Sequence, residues 1–266
     1  MRLHWPLRIA APVAAVLFLC GCPNPNAYTT PRTLNPGDLQ WQVAAEGWGA
    51  TFNETVPNTT VGVHTVSTSI FTPTLPTFGI RYGITDGFDL GARLSNLDSL
   101  SVDGKIRLVK GTVDLAVDPG LQAFYLSVSS GTDASNQTVT TSAAIFYFHL
   151  PLLVGFNLSE KFSIVVSPGV TYAVATTAIN SGNDQQQAAA STGLMARGGI
   201  GVDWRLSKKF AIHPEVTFLK SFGDNDALMY LFGIGFNIGA QPDYSDLAES
   251  PPAKAPAAPA QGRSGS

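Results

Sequence analysis

From residue 38 to residue 240 apolar residues recur with a period of two, and no long helical stripe interrupts them. The last segment, 226–239, is the clearest. Leu228, Tyr230, Phe232, Ile234, Phe236 and Ile238 share one bulky face, while Met229, Leu231, Gly233, Gly235, Asn237 and Gly239 share a mostly small one. Segment 209–221 sets Phe210, Ile212, Val216 and Phe218 against His213, Glu215 and Thr217, and segment 193–206 sets Ile200, Val202 and Trp204 against Arg197, Asp203 and Arg205. Segments 144–157 and 162–175 alternate in the same way, and 39–51, 76–84, 88–95, 101–109 and 112–127 continue less purely. Side chains of a strand point alternately to its two faces, so the pattern predicts about ten strands, each with one apolar face.

Alternation by itself fits a soluble sandwich or lipocalin-like barrel, with the apolar face inside, as well as a membrane barrel, with that face outside. Composition favours the second. Charged residues are 13% of the chain, against about 25% in a soluble domain. Many segments exceed the 9–11 residues or so that a tilted strand needs to cross a bilayer. The polar face collects Arg81, Arg93, Lys105, Arg107, Arg197 and Arg205 together with Glu46, Asp89, Asp103, Asp114, Asp118, Asp203 and Glu215. These charges nearly cancel, as paired side chains filling a lumen must. Short turns at 85–87, 109–111, 159–161 and 207–209 alternate with long Ser/Thr/Asn/Gln-rich connections at 52–75, 128–142 and 177–192. Trp41, Tyr82, Phe88, Phe156, Phe162, Trp204 and Phe210 fall near the short-turn ends on the apolar face, where an aromatic girdle belongs. The fold expected is all-β: an antiparallel up-and-down transmembrane β-barrel of about ten strands, with short periplasmic turns and longer extracellular loops. In lipid every strand edge must be paired, so the sheet must close.

The N-terminus places this barrel in an envelope. Arg2 and Arg8 precede an eleven-residue apolar run, Ile9 to Leu19, which has the length of a signal-peptide core and is too short to span a bilayer. Leu19-Cys20-Gly21-Cys22 follows and resembles the bacterial lipobox. That resemblance implies cleavage before Cys22 and a diacylglyceryl thioether on it. Residues 1–21 are then a lipoprotein signal peptide. Residues 22–37, with four prolines after Cys22, read as a lipid-anchored tether, 38–240 as the barrel, and 241–266 as a disordered Pro/Ala-rich periplasmic tail. Loss of Arg2 and Arg8 leaves 14 basic residues against 19 acidic ones, a net charge of −5, with no basic patch for nucleic acid. Cys20 leaves with the signal and Cys22 carries lipid, so no cysteine remains for a disulfide.

The pattern over about residues 38–240 resembles small bacterial outer-membrane barrels of eight to twelve strands, in the lipidated form of predicted myxobacterial-type envelope proteins. The resemblance implies an outer-membrane location, with the lipid anchor on the periplasmic side. It also implies dependence on outer-membrane lipid and on the barrel-assembly and lipoprotein-sorting machinery, and a monomeric state. Phe236 and Ile238 suit a terminal insertion strand, but a further 26-residue tail departs from the pattern.

Chemistry is sparse. The chain has no Gly-x-Ser-x-Gly elbow, His-Glu-x-x-His helix or P-loop, and no catalytic residue, metal site or cofactor is expected. Gly198-Gly199-Ile200-Gly201 lies within a strand, where glycine serves packing. His149 and His213 are expected to face the lumen. The residues singled out as a lumen charge cluster and candidate constriction are Asp103, Lys105, Arg107, Asp114, Asp118, Arg197, Asp203, Arg205 and Glu215. The function expected is a non-enzymatic barrel lipoprotein with a structural or surface-interaction role, a largely filled lumen, and loops that would meet any extracellular ligand. The alternatives are a narrow channel or binding barrel for small, anionic solutes and, least favoured, a hydrolase.

Overall fold

Period-two alternation becomes thirteen antiparallel strands in the computed structural model, which describes residues 24–58, 62–132, 138–181, 185–222 and 226–247. They are β1 (Leu39–Asn58), β2 (Gly62–Pro73), β3 (Thr77–Thr85), β4 (Phe88–Ser95), β5 (Ser99–Val109), β6 (Val113–Val117) and β7 (Gly120–Thr132). There follow β8 (Thr138–Ser159), β9 (Phe162–Val166), β10 (Gly169–Ser181), β11 (Gln185–Ser207), β12 (Phe210–Ser221) and β13 (Asp226–Gly239). Three pairs lie end to end and act as single staves. β2 and β3 both line β1. β6 and β7 both join β5 to β8, and β9 and β10 both join β8 to β11. Pro119 and Pro168 sit at the second and third breaks, because proline cannot donate to a ladder. The thirteen strands therefore make a barrel of ten staves, and β13 closes it against β1 with Trp41 opposite Ile238 and Thr51 opposite Leu228.

Burial settles which face is outside. Phe148, Leu150, Ile200, Trp204, Phe232 and Ile234 are all about half exposed along the outer wall. So much contiguous apolar surface is what lipid covers, not water. The girdle residues all point outward, with Trp41 at 55% and Trp204 at 51% exposure. The inner face buries Asp89, Lys105, Asp114, His213 and Thr217.

The long connections differ from expectation. β1, β8 and β11 run for 20, 22 and 23 residues, so the segments read as loops at 52–75, 128–142 and 177–192 are largely hairpin extensions of the wall. Their Thr and Val content supports a ladder beyond the membrane as readily as within it. The wall is low on one side, where β3, β4 and β5 end or begin at Thr77, Ser95 and Ser99.

Ile234→Arg should lower barrel stability by about 2–4 kcal/mol, the cost of a cation on the lipid face near the midplane. Urea titration of vesicle-inserted protein, followed by heat-modifiable gel mobility, reads this directly.

Candidate functional site

A positive φ of 84° at Gly37 turns the chain at the short-turn end of the barrel. The Gly37 amide donates to Gly83 O at 2.9 Å and the Asp38 amide to Asn35 O at 3.0 Å. Residues preceding this turn do not hang beneath the barrel. Residues 24–34 run up through its lumen, and all of them are buried. The expectation of a periplasmic tether is corrected for these residues. A chain in an extended state has no ladder of its own, so its backbone polar groups must find partners on the wall.

They do so at every level. The Leu34 amide donates to Asp89 Oδ2 at 3.1 Å, and Lys105 Nζ donates to Thr30 O at 3.0 Å and Thr29 Oγ1 at 2.9 Å. The Tyr28 and Ala27 amides donate to Glu215 at 2.7 Å and 3.1 Å, while Asn237 Nδ2 donates to Tyr28 O at 3.0 Å. Arg93 donates to Asn26 O, and Arg197 to Pro25 O at 2.5 Å. At the top the Asn24 amide donates to Gln122 Oε1 at 2.9 Å, and Asn24 Nδ2 reaches Glu46, Thr77 and Ser95.

Space for the segment comes from the small inner faces. A Cβ built on Gly235 would lie 2.7 Å from Tyr28 Cβ and Cγ, and one on Gly155 would lie 3.0 Å from Pro31 Cδ. Tyr28 is fully buried, and its hydroxyl donates to Glu46 Oε1 at 2.7 Å.

The nine singled-out residues do not form one ring. Asp103, Lys105 and Asp118 belong to a network on β3–β7 whose hub is Arg81, bound to Asp89 and Asp103 and 3.8 Å from Asp118. Asp203 and Arg205 pair on β11, beside His213 and Glu215 of β12. Asp114 and Arg107 sit at the short-turn end. Arg107 reaches Asp86 at 2.6 Å, and Asp114 binds Arg32 at 2.7 Å and Asn157 at 2.6 Å. Arg197 stands apart, on Pro25. His149 and His213 have separate partners: Thr171 at 2.9 Å and Asp203 at 3.4 Å, respectively. The described residues hold no cluster of three or more metal-ligating side chains. Gly199 and Gly201 face inward within β11, and a Cβ on Gly201 would meet His213 Nε2 at 2.6 Å. Cys22 lies outside the described residues.

The first residues of the expected tail are also folded. Ser245–Leu247 form a 3-10 turn, and Tyr244 is buried at the short-turn mouth. The Arg205 and Arg32 guanidinium carbons lie 3.5 Å and 4.2 Å from its ring centroid, a cation–π sandwich. The Tyr244 hydroxyl donates to Thr30 Oγ1 at 2.8 Å, and Arg32 Nη1 donates to Asp243 O at 2.6 Å and Asp246 Oδ1 at 2.5 Å. Arg32 thus ties N-terminal segment, wall and C-terminal segment together. The inner face of the wall carries six bases against seven acids, and Arg32 of the lumen segment supplies the seventh base. The Arg32 hydrogen bond holds the Asp246 carboxyl below its usual range, with partial burial acting against it.

Two outcomes follow from this geometry. In a Cys22→Ser background, a thiol introduced by Asn26→Cys should react slowly with maleimide, and adding Gly235→Leu should speed it about 5- to 150-fold, since overpacking costs about 1–3 kcal/mol. Because the folded Asp246 pKa is depressed, its stabilising bond is present above the ordinary carboxylate range and lost as pH falls through the folded value. Once exchange is referenced to its intrinsic rate at each pH, the protection factor of the Leu247 amide should therefore fall by up to about fivefold between roughly pH 6 and 3, a surface-pair effect of at most about 1 kcal/mol. Asp246→Asn should remove that dependence.

Known proteins bear on this architecture in three ways. No curated protein sequence matches the chain. Among solved structures, the outer membrane protease OmpT from Escherichia coli aligns at 8% identity, covering 80% of this chain and all of that one, with a TM-score of 0.51. At that identity the likeness is one of fold. The translocator domain of the autotransporter NalP from Neisseria meningitidis (15% identity, 77% and 89% covered, TM-score 0.45) and the attachment invasion locus protein Ail of Yersinia pestis (11%, 76% and 99%, TM-score 0.30) also align. The family described as membrane bound beta barrel domain (DUF5777) matches residues 70–240, and the chain belongs to that family.

Proposed function

We propose that the protein is a closed, non-enzymatic outer-membrane lipoprotein, acylated on Cys22, that serves a structural or surface-interaction role. One observation carries the reading: the lumen is filled by residues 24–34, whose backbone groups are bonded to wall side chains from Gln122 down to Asp89. A solute path would have to displace a segment held by hydrogen bonds to charged partners, each worth about 1.5–3 kcal/mol. Above Asn24 the inner face turns apolar, with Trp48, Phe124, Leu219 and Leu231 all buried. Apolar side chains there replace the polar lining an ion needs. Hairpin extensions beyond the membrane are then the part of the protein available to partners.

Planar-bilayer recording on refolded, heat-modifiable protein tests the reading. The intact chain should give no discrete conductance steps, and deletion of 24–34 combined with Trp48→Ala and Leu219→Ala, which removes both closures, should produce them. Steps from the intact chain would replace this reading with a channel. Loss of fatty-acid incorporation in Cys22→Ser, against clear labelling of the unaltered protein, checks the acylation.

A further inference from the structure

The lumen segment has a direction, and it runs away from the periplasm. Leu34 and Arg32 lie at the short-turn mouth, beside Asp89, Gly111 and Asp114. Asn24, ten residues earlier, bonds to Thr77 and Ser95 at 3.2 Å and 3.0 Å. Those are the first residue of β3 and the last of β4, where the wall stops on its low side. Gln122, which accepts from the Asn24 amide, itself donates to Ser99, the first residue of β5, at 2.6 Å. Asn24 is therefore level with the outer rim. Leu34 and Asn24 thus lie at opposite ends of β3 and β4, nine and eight residues long, close to the 9–11 or so that a tilted strand needs to cross a bilayer. Two residues reach only about 7 Å, so Cys22 cannot return to the short-turn mouth while Asn24 holds these bonds.

We infer that the mature N-terminus threads the barrel from within and emerges at its outer mouth, so that lipid on Cys22 is delivered to the outer side of the membrane rather than to the periplasmic leaflet. The lipid part of this inference rests on the acylation proposed above; the threading does not. An exit is at hand over the low rim, between the Thr74–Pro76 link and the Asn96–Asp98 turn. Leu75, Leu97 and Leu100 are 54%, 65% and 56% exposed there. Acyl chains crossing that rim meet an apolar outer wall at once, whereas the polar lumen below Asn24 offers them none. The anchor would then hold the segment from above as Arg32 and Tyr244 hold it from below.

The test uses the full-length protein in cells. A thiol at Pro23→Cys should react with a membrane-impermeant maleimide as fully in intact cells as in cells with a permeabilised outer membrane. A control thiol at Arg263→Cys should react only after permeabilisation. Reaction of the Pro23→Cys thiol only after permeabilisation would overturn the inference. Should that thiol prove shielded in both states, the Asn24→Cys/Ser95→Cys pair decides: an oxidised cross-link in folded protein supports threading, and two free thiols overturn it. Incorporation of an alkyne fatty acid is read in parallel. Surface labelling without acylation would remove the lipid and keep the threading, while acylation with labelling only after permeabilisation would do the reverse.

Discussion

Buried polar groups need partners, and the interior of this barrel is where that requirement is sharpest. Ten staves enclose a lumen too narrow to be simply water and too polar to be simply packed. Charges such as Asp89, Lys105 and Arg81 compensate one another in part, yet a ring of paired ions around an empty axis would still leave carboxylate and ammonium valences unused. Residues 24–34 supply what is missing: a strip of amides and carbonyls that Glu215, Lys105, Arg93 and Arg197 bind directly. Wall and segment are each unsatisfied without the other, so the lumen charges form a cradle for main chain.

The wall was legible in the sequence because a two-residue period writes both faces of every strand into the chain. Outward Ile234 and inward Gly235 are neighbours, and the ten candidate strands coincide with the ten staves. The hub of the lumen network is half visible in the sequence: alternation puts Arg81 and Asp89 on the inner face, but nothing in their spacing marks them as its centre. The axial segment was not legible. Its prolines and asparagines are those of any linker, and nothing in a linear pattern says that a linker turns at Gly37 and re-enters the barrel. Two signals were nonetheless present. The inner face of the last strand carries glycines where a lumen needs filling, and the lumen acids outnumber the bases by one. A bulky Tyr28 and a lone Arg32 in the tether answer both. The same blindness affected Tyr244, which lies just inside a segment whose later composition is that of a disordered tail.

Polarity along the lumen is graded, and this grading follows from where the segment ends. Beside residues 24–34 the inner faces are mostly polar or small, with Leu153 and Val165 among the apolar exceptions. Beyond Asn24 they form two clusters, Trp48 with Ala50 and Leu231, and Met195 with Leu219 and Tyr147, with Met229 packed against both. Pro25 is the point of contact, lying among Trp48, Leu219 and Leu231. Where main chain is present the wall hydrogen-bonds it, and where it is absent the wall closes by dry packing. Two separate solutions to the filling problem thus meet at one level, and only the lower one depends on the segment staying in place.

Closure of the barrel and placement of the segment are linked by chain connectivity. The segment is continuous with β1, and β1 is the strand against which β13 must close. Gly233 and Gly235 of β13 face Tyr28 as they pair with Glu46 and Ala44, so the closing ladder lies directly over the segment. A barrel closed first would have to admit Tyr28 past Lys105 and the Glu215 carboxylate through a mouth that Arg205 and Tyr244 line. The order that avoids this barrier lays residues 24–34 along the inner face of β1 while the sheet is still open. The closing pair then seals the lumen around them, and Tyr244 follows last because it lies immediately after β13 in the chain.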